Sequence, residues 1–155
     1  MKIRDCMSKH VVLGHPKMKV SEAAQLMAKG QFGILPIQDK DRLVGVITDR
    51  DITTRCVALN KGVDTPVAEV MTDEVLYCFD DQQVEEAIEN LGENKIWRLP
   101  VVNREKRLVG IVSLCDLSLA PGEDKGIDHT LRKLSFKEED RSEKHHAYQF
   151  AEQQH

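Results

Sequence analysis

Four cysteines occur, Cys6, Cys56, Cys78 and Cys115, and no two stand in a CxxC pair. Structural zinc sites and redox dithiols need close spacing of that kind, so no metal is expected here. Reduced, buried thiols suit a reducing cytosol. Aromatic residues make up only 5% of the chain against 41% hydrophobic residues overall, which predicts a mostly aliphatic core. An excess of basic charge is also missing: the formal net charge is −4. Nucleic-acid binders carry a basic stripe, so nucleic acid is not expected as a partner. No stretch approaches the roughly 18 apolar residues of a membrane span, and the opening MKIRDCMSKH lacks the apolar run of a signal peptide. A cytoplasmic protein without membrane contact is the expectation. The six histidines form neither HExxH nor a CxxC-linked set. No spacing singles out a nucleophile–base pair, so no catalytic residue is assigned and no enzyme is expected.

What is there is a duplication. LVGVITDRDI at 43–52 returns as LVGIVSLCDL at 108–117, offset by 65 residues, and LPI at 35–37 returns as LPV at 99–101, offset by 64. The period is longer than short solenoid repeats and it occurs twice. Two small related units are expected, 1–65 and 66–135, followed by a charged tail, 136–155. The segment NKGVDTP at 60–66 has the turn residues of a linker.

Within each unit the pattern predicts strand, helix, strand, strand, helix. Val20, Ala23, Ala24 and Met27 fall at i, i+3, i+4 and i+7, and Val84, Ala87, Ile88 and Leu91 repeat that spacing, the apolar stripe of a half-buried helix. Gly30 is placed to end the first helix, and Gly92 with Asn94 the second. Strands are expected at about 33–37 and 43–48, and again at about 98–102 and 107–112, joined as hairpins. A second helix starts near Asp51 and near Asp116, and a further one is expected over 128–135. The fold class is therefore α+β.

The repeated phrases also carry chemistry. Thr48 and Asp51 stand three apart at a helix start, and Ser113 and Asp116 recreate the pair. One such pair alone reads as plain helix capping. Two at matching places point to a shared task, because a carboxylate can accept from two neighbouring hydroxyls such as a ribose diol. Pro36 and Pro100 sit inside predicted strands, where proline is normally an edge or bulge residue. Carbonyls left unpaired there would read the polar edge of a flat heterocycle, with Leu35, Ile37, Leu99 and Val101 as apolar walls. Arg50 and Arg98 are candidates for phosphate, to which arginine makes forked, charge-assisted bonds. They are not equivalent by alignment: Arg50 matches Cys115, and Arg98 matches Ile34. The two sites should differ in anion affinity.

The glycine-to-aspartate pattern met by Gly45, Thr48 and Asp51, and again by Gly110, Ser113 and Asp116, resembles the ribose-binding signature of cystathionine-β-synthase-type (CBS) domains. GILPI and WRLPV resemble that family's purine-pocket strand, and VMT at 70–72, with CMS at 6–8 more loosely, its opening phrase. The resemblance covers roughly 5–135 and identifies a tandem pair, or Bateman module. It implies two units packed sheet to sheet about a pseudo-twofold axis, with sites in the cleft between them. The implied ligands are AMP, ADP, ATP, NAD or S-adenosylmethionine, bound as regulators, with no required cofactor. Thr48, Asp51, Ser113 and Asp116 would hold ribose; Leu35, Pro36, Ile37, Leu99, Pro100 and Val101 would form the purine pocket; Arg50 and Arg98 would hold phosphate. A homodimer that signals to an effector protein is implied. The alternative is a dimeric interaction scaffold with a degenerate nucleotide pocket.

Overall fold

The apolar stripes become helices where the spacing places them. In the computed structural model, which describes residues 1–122 and 126–135, helix α2 spans Val20–Gly30 and helix α4 spans Val84–Asn94. The tail at 136–155 lies outside the described residues. Both helices end as expected, but the left-handed residue that follows is Gln31 (φ 55°) in one and Lys95 (φ 54°) in the other. Neither is glycine, although that conformation favours it. Gly30 meets a different need, because a β-carbon there would lie 2.2 Å from the Phe32 ring.

The hairpins form too. Strand β1 (Ile34–Asp39) pairs antiparallel with β2 (Arg42–Thr48). Their connection is Lys40-Asp41, both at positive φ, the geometry of the tight turns that match strand twist. In the second repeat, β4 (Arg98–Val102) neighbours β5 (Leu108–Ser113), and the longer connection between them accounts for the change in offset from 64 to 65. The opening strands are short. Helix α1 takes up Ile3–Cys6, and the first repeat keeps a single parallel bridge, Gly14 with Ile37. The second repeat has β3 (Cys78–Phe79), parallel to β4 through Cys78–Val101 and Phe79–Val102. Gly14 and Ile37, each advanced by 64, are Cys78 and Val101, so the duplication holds at the level of a backbone bridge.

Pro36 behaves differently from the sequence expectation. Its carbonyl is not left unpaired: it accepts from the Gly14 N–H at 2.8 Å. The missing N–H of Pro36 therefore faces the opening segment, and the β1–β2 ladder runs past Pro36–Val46 uninterrupted. Proline is tolerated because its absent donor faces the side where only one bridge forms.

The chain gathers into two compact units, each discontinuous in sequence. One holds Met1–Met7, Asp80–Leu99 and the described residues from Val112; the other holds Ser8–Phe79 and Pro100–Ile111. In the first, the lead-in of repeat one caps the helix of repeat two: the Val84 N–H donates to Met1 O, and the Ile3 N–H to Gln82 O, both at 3.0 Å. In the second the roles reverse. The Val20 N–H donates to Thr65 O at 2.9 Å, and the Val67 N–H to Met18 O at 2.7 Å. These partners are related by the 64-residue offset. The exchange explains why Lys19 and Gln83, poor N-cap residues without a side-chain cap, can begin these helices. The orphan N–H groups of the first turn find carbonyls on the other repeat's lead-in.

The same exchange reaches the strands. Ser8 bridges Ile111 and Thr72 bridges Val46, each by two backbone hydrogen bonds of 2.8–2.9 Å. The core of this second unit joins Val20, Ala23 and Met27 of α2 to Leu35, Ile37 and Ile47 of the hairpin, and to Val67 and Val70 from the other repeat's lead-in. Each fully buried aliphatic side chain there contributes roughly 1.5–3 kcal/mol.

Candidate functional site

Each hairpin delivers its last strand residue into a helix. Thr48 ends β2 and caps α3 (Asp49–Ile52); Ser113 ends β5 and caps α5 (Leu114–Ser118). The helices thus begin two residues before the aspartates, which occupy the third helical position. The two caps have almost the same backbone, φ −110° and ψ 162° for Thr48 and φ −114° and ψ 161° for Ser113. Each is a reciprocal capping box. The Asp51 N–H donates to Thr48 Oγ1 and the Thr48 N–H to Asp51 Oδ2, both at 3.0 Å. The Asp116 N–H donates to Ser113 Oγ at 3.1 Å, while the Ser113 N–H and hydroxyl both donate to Asp116 Oδ2 at 2.7 Å. Plain capping is therefore part of what these pairs do.

The second carboxylate oxygen separates the two sites. Asp51 Oδ1 faces Arg55 Nε at 3.8 Å, and only 14% of the Asp51 side chain is exposed. Arg55 also reaches Val70 O, Met71 O and Thr72 Oγ1 through Nη1, at 3.1–3.5 Å, tying α3 to the exchanged lead-in. The residue matching Arg55 in the second repeat is Ala120. Among the described residues, Asp116 Oδ1 accepts no hydrogen bond. It is an open acceptor beside a serine hydroxyl.

A cavity of about 340 Å³ opens next to Ser113. Its polar lining is Arg98, Ser113, Cys115 and Ser118, and its apolar walls are Trp97, Leu114, Ile127 and Leu131. Ile127 and Leu131 come from helix α6, at 126–135. That helix is anchored by buried Leu134 and by Thr130, whose hydroxyl donates to Ile88 O at 3.1 Å. The structure thus brings Arg98 and Ser113 to one cavity, with Asp116 bonded to Ser113. Arg50 is exposed and shares the other turn with Thr48 and Asp51. Leu35, Ile37, Leu99 and Val101 are fully buried, and Pro36 and Pro100 are buried beside them. The cavity walls are instead Trp97 and residues of α6, which motif spacing did not bring out. Two signals were present: Trp97 is the single tryptophan and directly precedes Arg98, and Ile127, Leu131 and Leu134 follow helical spacing.

Cys6 lies in the same unit. Burial pushes its thiol pKa up, and the carboxylates of Asp116 and Asp5 push it further. Its Sγ also lies 3.4 Å from Ile3 O. Because the thiolate is the nucleophile, Cys6 should alkylate more slowly than exposed Cys115. Peptide mapping after brief iodoacetamide treatment at pH 8 is expected to find at least about tenfold more label on Cys115. Equal labelling would contradict the burial of Cys6.

The family model for the CBS domain matches residues 3–57 and again 67–123. The chain belongs to the CBS-domain family. The CBS domain-containing protein YhcV of Bacillus subtilis is 33% identical over 133 residues, covering 86% of this chain and 94% of that protein. The solved CBS domain pair of protein MJ0100, in complex with 5′-methylthioadenosine and S-adenosylmethionine, is 32% identical. It matches with a TM-score of 0.69, covering 76% of this chain and 93% of the other. Hypoxic Response Protein I, solved with two coordinated zinc ions, is 31% identical with a TM-score of 0.71, covering 78% of this chain and 100% of that one. Among the described residues of the present CBS pair, no three His, Cys, Asp or Glu side chains converge to hold a metal. No helix among them is long and apolar enough to cross a membrane. The mixed helix-and-strand fold with two tandem CBS units agrees with the sequence expectation.

Proposed function

We propose that this CBS pair is a regulatory module that senses an adenosine-containing ligand and passes the signal to a partner protein. The carrying observation is the cavity lined by Arg98 and Ser113, with the Asp116 carboxylate hydrogen-bonded to Ser113 at its edge and one oxygen of that carboxylate accepting no hydrogen bond among the described residues. A ribose diol needs two acceptor sites on a carboxylate, and Asp116 Oδ1 keeps both of its lone pairs while Oδ2 is taken by the Ser113 N–H and hydroxyl. Arg98 is the group for a 5′ phosphate or carboxylate. The ligand class is AMP, ADP, ATP, NAD or S-adenosylmethionine; the MJ0100 pair, which holds two such adenosyl compounds, supports this reading. A cytoplasmic homodimer without catalytic residues belongs to the same proposal. A bound ligand acts only through its differential affinity for two arrangements of the protein.

Asp116→Asn keeps an acceptor for the Ser113 N–H but removes the charge that the diol would meet. A hydrogen bond to a charged group contributes about 1.5–3 kcal/mol, so calorimetry should show affinity falling about tenfold or more. Asp51→Asn should cost less, because Arg55 already offsets the charge of Asp51 from 3.8 Å. Absence of heat with AMP, ATP, NAD and S-adenosylmethionine alike would overturn the sensor reading.

A second reading has its own observation. In the first repeat, Asp51 accepts from the Thr48 N–H and pairs with Arg55 at 3.8 Å, and Ile34 stands where Arg98 would be. That site has the features of a degenerate pocket whose parts now brace the fold. A chain that binds nothing yet dimerises would be a scaffold.

A further inference from the structure

The cavity beside Ser113 also carries information about which adenosyl ligand it takes. This step rests on the sensor reading above. Among the described residues, Arg98 is the only charged side chain in its lining. The other walls are Trp97, Leu114, Ile127 and Leu131, and the remaining polar atoms come from Ser113, Cys115 and Ser118. At the matching turn of the first repeat, Asp49 and Arg50 stand in place of Leu114 and Cys115. The second repeat has thus exchanged a charged pair for an apolar residue and a thiol.

Helix α6 completes the apolar side. Thr130 and Leu134 are buried and fix it, with the β-carbon position of Gly92 only 3.0 Å from Thr130 Oγ1. Ile127, three residues before Thr130, and Leu131, the residue after it, line the cavity; Leu131 is 41% exposed. The first repeat has no helix between Val57 and Val67, so this wall belongs to the second repeat alone.

The geometry points to a cavity that selects an adenosine whose 5′ arm carries no more than one anionic group. One arginine can compensate one compact phosphate or carboxylate in a forked bond. Each further phosphate would bring uncompensated charge against Trp97, Ile127 and Leu131, and charge against apolar walls is strongly disfavoured unless it is paired. A short apolar arm gains from the same walls, and a thioether sulfur gains further from the edge of the Trp97 ring. Trp97 and Leu131 are then specificity-determining residues.

The test uses the full chain, with Asp116→Asn as the control whose lost heat is assigned to the second-repeat cavity. Calorimetric titration with 5′-methylthioadenosine, AMP and ATP should rank ATP about tenfold or more below the other two. Adding a cation to the wall with Leu131→Lys should raise ATP affinity about fivefold or more relative to 5′-methylthioadenosine. Leu131 is partly exposed, so this substitution leaves the core intact, which an unchanged thermal midpoint would verify. ATP binding as tightly as AMP, or a ratio unmoved by Leu131→Lys, overturns the selectivity while leaving the sensor reading in place. No binding by any of the three removes the sensor reading, and the selectivity with it.

Discussion

Replacing Ile3 by alanine is expected to destabilise the protein by about 3 kcal/mol and to loosen a helix of the other repeat. Ile3 has no exposed surface, and isoleucine-to-alanine changes in a core cost about 2–5 kcal/mol through lost transfer energy plus the cavity left behind. The location of the damage is the sharper part. The Ile3 N–H bonds Gln82 O, and Met1 O caps the first N–H of α4 at Val84. Hydrogen exchange should therefore show amides at 84–91 losing protection before those at 20–27. Val67→Ala is the mirror experiment: Val67 sits in the core with Val20, Ala23 and Met27, so it should loosen α2 first. Loss of protection in α2 from Ile3→Ala would refute the exchange of lead-ins. Urea titration provides the magnitude.

Gly45→Val should cost about 3 kcal/mol, at the upper end of ordinary overpacking. A β-carbon at Gly45 would lie 2.6 Å from Met71 Sδ and 2.9 Å from the Thr72 carbonyl oxygen. The thioether can swing aside, but the carbonyl cannot. Thr72 is held by two backbone hydrogen bonds to Val46, at 2.8 and 2.9 Å, so relief means breaking that bridge. Valine's two γ-methyls enlarge the clash further. The control is Val46→Ile in the same strand, whose half-buried side chain can take one more methylene while its backbone keeps the bridge to Thr72, and it should cost less than about 1.5 kcal/mol. A Gly45→Val midpoint in urea equal to that of the parent protein would show that the first repeat's strand does not approach the second repeat's lead-in this closely.

Much of this architecture was legible along the chain. The stripe through Val20, Ala23 and Met27 and its copy through Val84, Ala87 and Leu91 specify helices, because buried positions recur with the helical turn. The Thr48–Asp51 and Ser113–Asp116 pairs specify the two strand-to-helix turns, because a capping box is closed by residues three apart. The candidate site was less legible. Arg98 and Ser113 were identified, but Trp97, Ile127 and Leu131 were not, since no local pattern connects residue 97 with residues 127 and 131. The expectation of unpaired carbonyls at Pro36 missed the bridge from Gly14, which depends on a segment more than twenty residues away.

By itself the sequence determined the duplication, the order of helices and hairpins, and the repeated hydroxyl–carboxylate pair, all of which are encoded by spacings within a single turn or hairpin. Only the tertiary structure decided which lead-in caps which helix. It alone showed that Arg55 engages Asp51 whereas one oxygen of Asp116 stays open, and that α6 walls the second-repeat cavity. The reason is physical: orphan N–H groups and half-buried faces state a need, but the partner that meets it is chosen by long-range packing, where two repeats of nearly the same pattern compete for the same contacts.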